Sequence, residues 1–217
     1  MNPIIPTIFS HNKKEFKEDF ANIINVSKNI QTDFMDGKFV KANSIALKDI
    51  PSLRRYNKNF EAHLMVSNPE KWISSCKNKG FKKILFHYEA FNNSSKAINL
   101  LKKIKSERLT AGIVFNPKTS FNKILEVKDE ADVIMFMGHT PGVEGIPLNQ
   151  KVLAKIKNLR KLDKKIQIEV DGSVTDKTLP RLVKAGANLL SVGSFISSSK
   201  NPKQTFNKLN KLFKESI

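Results

Sequence analysis

The chain is poor in the features that most readily assign a protein to a class. It has one cysteine and no apolar run long enough to cross a bilayer, so neither an internal disulfide nor a membrane partner is expected. The lone Cys76 points to a reducing, cytoplasmic compartment and reads as a partly buried helix residue rather than a reactive thiol. The opening MNPIIPTIFS lacks a basic segment, a long apolar core and a small-residue cleavage site, so it reads as a first strand, not a signal peptide. The GxGxxG pattern of dinucleotide-binding sheets is absent. Acidic residues are few beside basic ones, 20 against 38, for a formal net charge of +18. That excess does not make a nucleic-acid binder. The lysines are dispersed (Lys13, Lys58, Lys103, Lys155, Lys208), and arginine, the usual base reader, is scarce. A basic field that draws in an anionic small substrate fits better.

What is present is alternation. Strand-like apolar runs fall at Ile4–Phe9, Ile30–Met35, Phe60–Val66, Lys83–Tyr88, Leu109–Phe115, Asp132–Met137, Lys165–Val170 and Asn188–Val192. Between and after them, helical patterns cover Lys13–Ser27, Ile45–Tyr56, Pro69–Lys79, Ser94–Ser106, Ser120–Val127, Leu148–Leu162, Asp176–Ala185 and Pro202–Lys214. Gly80 and Gly186 stand where helices are capped. No linker or second composition zone interrupts the pattern. Eight strand–helix units in 217 residues predict an α/β fold, a single (β/α)8 TIM barrel spanning residues 1–217.

In such a barrel the chemistry lies at the C-terminal ends of the strands. The residues there are Thr7, Asp33, Asp36, His63, His87, Glu89, Asn116, His139, Glu144 and Asp171. Asp36 before Gly37 reads as a turn residue, and Asn116 before Pro117 as a loop-shaping one. His87 and Glu89 share a parity and suit a core hydrogen bond as well as catalysis. Asp33 and Asp171 end strongly apolar strands, where a carboxylate is costly unless paired or bound to metal. Two carboxylates and an imidazole can bind a divalent metal or move protons. The glycine-bearing loops at Thr140–Gly145, Gly172–Ser173 and Gly193–Ser194 let backbone amides approach an anion, as phosphate loops do.

Read together, PTIF, TDFMDGKFV, EAHLMVSNPE, FHYEA, AGIVFNPKT, TPGVEG, VDGSV and AGAN…VGS resemble, in order, the motifs of the ribulose-phosphate 3-epimerase family. The resemblance implies a barrel of the ribulose-phosphate-binding type and inversion at C3 of a ketopentose phosphate, ribulose 5-phosphate or xylulose 5-phosphate, through an enediolate. It implies Asp33 and Asp171 as the acid–base pair. Both are also metal ligands with His63, for a divalent cation that is zinc, iron, manganese or cobalt. Met35 and Met65 would line the enediolate, Thr7 would supply a substrate hydroxyl contact, and Gly142, Gly145, Gly172, Ser173, Gly193 and Ser194 would hold the phosphate. Members of the family commonly associate, so a homo-oligomer is expected.

The departures bear on the same site. The family's other metal histidine, two residues before the first catalytic Asp, is Gln31 here, a weaker donor that is a candidate fourth ligand. Glu144 and Ser173 replace glycines of the phosphate loops, Thr7 replaces a serine, and Lys41-Ala42 replaces Pro-Asn. Two alternatives therefore stand beside the epimerase. One is a diverged paralogue acting on a different ketose phosphate or activated sugar. The other is a catalytically impaired relative without a complete metal site.

Overall fold

A computed structural model describes residues 2–143 and 145–217. Eight parallel strands close into a barrel in sequence order, with β1 paired to β8. They are β1 (Ile4–Ile8), β2 (Asn29–Met35), β3 (Asn59–Met65), β4 (Lys83–His87), β5 (Thr110–Phe115), β6 (Val133–Met137), β7 (Gln167–Asp171) and β8 (Leu189–Val192). The helices are α1 (Lys13–Ile23), α2 (Ile73–Lys79), α3 (Ser94–Ser106), α4 (Phe121–Leu125), α5 (Gln150–Leu162), α6 (Leu179–Ala185), α7 (Ser194–Ser197) and α8 (Pro202–Glu215).

Side chains alternate along each strand, so one parity fills the barrel and the other meets the helices. On β2, Phe34 points outward and packs on Trp72 and Phe81, with ring centroids 5.5 and 5.7 Å away. Its neighbours Gln31, Asp33 and Met35 point inward. The interior divides into two halves. Leu85, Val114, Val133, Met135 and Met137 form an apolar cluster on the β4–β6 side. The other side carries Gln31, Glu61, Glu169 and Ser191, all 3% exposed or less. Register then sets the rim: Thr7 lies beside Gln31, Asp33 beside His63, Met35 beside Met65, and Asp171 beside both Met137 and Ser191.

The expected helix over Ile45–Tyr56 is not formed. Only Leu47–Asp49 makes a single 3-10 turn. Pro51 disfavours helical geometry at the residue before it, and Ile50 is extended, with φ −78° and ψ 149°. Ile45, Leu47, Ile50 and Leu53 are nevertheless all buried, at a spacing that also suits a helix. The helix expected over Asp176–Ala185 begins only at Leu179, because Thr178 Oγ1 accepts from the Thr175 amide and donates to the Ser173 carbonyl. A four-residue helix, α7, directly follows β8. Gly80 and Gly186 cap α2 and α6 at φ 105° and 115°, as expected. Cys76 is fully rather than partly buried, and that burial pushes its thiol up to about 12.

Replacing Phe34 with Ala should remove an aromatic knob from a fully buried position and cost about 3–5 kcal/mol of stability. Urea unfolding followed by circular dichroism checks this, and a loss below about 1 kcal/mol would mean the helix layer is loosely packed there.

Candidate active site

The barrel mouth gathers residues from strands far apart in sequence. Asp33 leaves β2, His63 lies on β3, and Asp171 ends β7. His63 Nδ1 is 3.1 Å from Asp33 Oδ1 and 3.0 Å from Asp171 Oδ2, so one ring nitrogen sits between two carboxylates. The three ligand-type atoms lie within 4.8 Å of one another. On the ring's far side, His63 Nε2 is 3.0 Å from His87 Nε2, one nitrogen donating and the other accepting. His87 Nδ1 in turn lies 3.4 Å from Glu89 Oε2. Gln31 closes the cluster, its Nε2 donating to Asp33 Oδ1 at 2.8 Å and to Asp171 Oδ2 at 2.6 Å.

Burial makes these charges interdependent. Desolvation, reinforced by the Asp171 carboxylate, raises Asp33 to about 6. Desolvation also opposes charge on Asp171, but the bond from His63 holds it below the ordinary carboxylate value. His63 is raised to about 10: burial opposes the imidazolium, and its bonds to Asp171 and Asp33 outweigh that. His87 is lowered, chiefly by burial. Two carboxylates around one imidazole thus form a place that calls for positive charge.

Above this cluster opens a cavity of about 1000 Å³. Thr7, Met35, Met65, Met137 and both aspartates line it, and so do Gly142, Gly145, Gly172, Ser173, Gly193 and Ser194. The Thr7 hydroxyl is buried there without a partner among the described residues. The loop after β7 needs its unusual backbone. Gly172 has φ +90°, and a Cβ there would lie 2.8 Å from the His139 ring. Ser173 adopts φ +58° despite its side chain, and its hydroxyl bonds the Ile146 carbonyl at 2.6 Å. Glu144 lies outside the described residues.

Of the other rim residues, Glu89 reaches the cluster only through His87, and Asn116 and Asp36 stand apart from it. Glu89 and Asn116 border a separate hollow beside Lys118 and Lys123. There Glu89 accepts from the Asn116 amide at 2.8 Å and from Thr119. Asp36 is the turn residue its Gly37 neighbour suggests: Oδ1 accepts from the Lys38 and Phe39 amides, and Oδ2 from the Ser67 amide and hydroxyl. The interior residues Glu61, Lys83, Glu169 and Ser191 escaped the sequence reading. Parity could have found the two acids, since Glu61 and Glu169 sit two positions before His63 and Asp171.

A closed eight-stranded parallel barrel with an acid–imidazole–acid cluster at its mouth has the architecture of the barrel enzymes. The model of the ribulose-phosphate 3-epimerase family matches residues 3–197, and the chain belongs to that family. The ribulose-phosphate 3-epimerase of Bacillus subtilis (strain 168) is 31% identical over 205 residues, covering 88% of this chain and 93% of that protein. The ribulose-phosphate 3-epimerase of Schizosaccharomyces pombe is 26% identical over 211 residues, covering 95% and 91%. Among solved structures, 3-keto-L-gulonate-6-phosphate decarboxylase from Vibrio cholerae O1 superposes with a TM-score of 0.78 at 12% identity, each chain covered completely. At that identity the likeness is one of fold.

Asp36 offers a test of how the rim is held. Burial raises its carboxyl, but the amides of Phe39, Ser67 and Lys38 and the Ser67 hydroxyl together lower it to about 2. The ionised form is therefore the stabilising one. Its contribution is complete above about pH 5 and is lost as the pH falls through 2. Asp36→Asn should cost about 1–2 kcal/mol at pH 7, and its difference from the parent should shrink steadily toward pH 2. Urea melts across that range decide it; a pH-independent difference would contradict the assignment.

Proposed function

We propose that this protein is a metal-dependent 3-epimerase interconverting ribulose 5-phosphate and xylulose 5-phosphate. The observation that carries the reading is the placing of Asp33 and Asp171 on either side of His63 Nδ1, at 3.1 and 3.0 Å, at the floor of the cavity. Inversion at a carbon next to a carbonyl needs one group to take a proton from one face and another to return it to the opposite face. Asp33 on β2 and Asp171 at the end of β7 supply the two groups from separate strands.

The donor set fits a divalent cation. Two carboxylates and an imidazole nitrogen within 4.8 Å are hard and borderline ligands of the kind zinc, iron, manganese and cobalt share. Asp33, His63 and Asp171 would hold it, with Gln31 as a fourth donor. Once bound, it would supply a fixed positive charge for the negative charge that develops on the substrate's oxygens. Met35 and Met65 form an apolar wall over the reacting carbons and exclude water. The unpartnered Thr7 hydroxyl is free to bond a substrate hydroxyl. The loops at Gly142–Gly145, Gly172–Ser173 and Gly193–Ser194 take the phosphate. We place the enzyme in the cytoplasm and expect it to act as a homo-oligomer.

A second reading, a longer or activated ketose as substrate, has one observation in its favour. The cavity continues past the phosphate loops to Gln150, Thr178 and Arg181. Turnover of ribulose 5-phosphate at about 10 per second or more would remove it.

In heavy water, the enzyme should exchange the C3 proton of ribulose 5-phosphate for deuterium. Asp33→Asn and Asp171→Asn should each slow that exchange by about 10²–10⁴-fold. Proton NMR of the recovered sugar measures it. Full exchange in either variant would end the acid–base assignment, and full exchange by protein stripped of metal would end the metal dependence.

A further inference from the structure

Gln31 is held at both ends of its amide. Nε2 faces Asp33, Asp171 and, at 3.5 Å, His63 Nδ1. Oε1 lies 2.8 Å from Ser191 Oγ, and the same hydroxyl lies 2.8 Å from Glu169 Oε1. Ser191 and Glu169 are 1% and 0% exposed, so bulk solvent does not reach this network. A hydroxyl carries one proton, yet here it faces two acceptors. Turning the amide by half a turn about its terminal bond exchanges oxygen and nitrogen with no change of shape. Nε2 then donates one proton to Ser191 Oγ, and the Ser191 hydroxyl donates its own to Glu169.

Glu169 ends that chain against a cation. Lys83 Nζ lies 3.2 Å from its Oε2. Burial and the Glu169 charge raise the neighbouring Glu61 carboxyl well above the ordinary range. The half-turn brings Oε1 against the oxygens of Asp33 and Asp171, which repel it unless a cation lies between them. The amide should therefore point its nitrogen inward without a cation and its oxygen inward with one.

We propose that Ser191 is a positioning residue which, anchored on Glu169, presents the Gln31 amide oxygen to the Asp33–His63–Asp171 cluster as the fourth donor to a divalent cation. The inference rests on the metal-dependent reading above. It makes Ser191 the means by which a glutamine serves as a ligand. Partners that orient a ligand from behind commonly change metal affinity by about 10–100-fold when removed.

Cobalt(II) titration of the full chain, stripped of metal by chelator and followed by visible absorption, tests it without turnover. Ser191→Ala should bind cobalt about 10–100-fold more weakly with an altered band, whereas Ser191→Thr, which keeps the hydroxyl, should bind as the parent does. In a Gln31→Glu background both ends of the side chain are oxygens. There, adding Ser191→Ala should change affinity by no more than about twofold. Ser191→Cys, which keeps the volume and weakens the hydrogen bond, replaces the alanine variant should that one not fold. Unchanged affinity in Ser191→Ala, or equal losses in both backgrounds, would overturn the role of Ser191 and leave the epimerase standing. No cobalt binding by the parent would overturn both.

Discussion

The site depends on keeping two carboxylates and an imidazole together inside a barrel. Asp33 and Asp171 are each only 8% exposed, and His63 is not exposed at all. Buried like charges repel strongly, and each loses its hydration. The cluster persists because each member compensates another: His63 bridges the acids, Gln31 donates to both, and His87 meets the ring from behind. Such an arrangement cannot be assembled from one segment. The parallel register brings β2, β3 and β7 to the same height and turns their inward side chains toward one axis, and this is what the closed barrel contributes.

The same constraint shapes the layer below. Beneath the cluster, Lys83 reaches Glu61 at 2.6 Å and Glu169 at 3.2 Å. Two acids share one ammonium, and burial with the Glu169 charge raises the Glu61 carboxyl well above the ordinary range. Across the barrel, the β4–β6 side is filled by Leu85, Val114, Val133, Met135 and Met137 instead. A barrel filled with branched apolar residues throughout would be simpler to stabilise. Retaining ions on one side gives the site above it anchored partners, so Glu169 and Ser191 read as extensions of the site into the core.

Most of the fold was legible because the alternation of strand and helix is a local signal. All eight strands were found, and their ends differ from the expected ones by a few residues. The failures have particular causes. Ile45–Tyr56 carries helical spacing of buried residues, yet Pro51 breaks the backbone, and burial of Ile45, Leu47, Ile50 and Leu53 is satisfied by an irregular segment. Asp33, His63 and Asp171 were legible because each ends an apolar run. Ser191 was not, since a serine within LLSV carries no signal until β8 is set beside β7 and β1. Its significance arises from contacts with residues 22 and 160 positions away.

Those long-range contacts change how the departures from the family pattern should be weighed. Read singly, Gln31 looks like a lost ligand and Ser173 like a lost glycine. In the structure each is accompanied by a bond that answers its defect. The Ser173 hydroxyl bonds Ile146 O at 2.6 Å, offsetting a left-handed backbone that costs a non-glycine residue about 1–2 kcal/mol. Gln31 has Ser191 and Glu169 behind it. Decay of a site removes constraints one at a time and leaves unpaired buried groups, as it would if Gln31 had replaced an imidazole with nothing to orient it. Here the amide makes hydrogen bonds from both ends, in a position with no exposure to water. Gln31 is therefore a fixed part of the cluster's packing, held from both sides, and not a loose replacement in an emptied position.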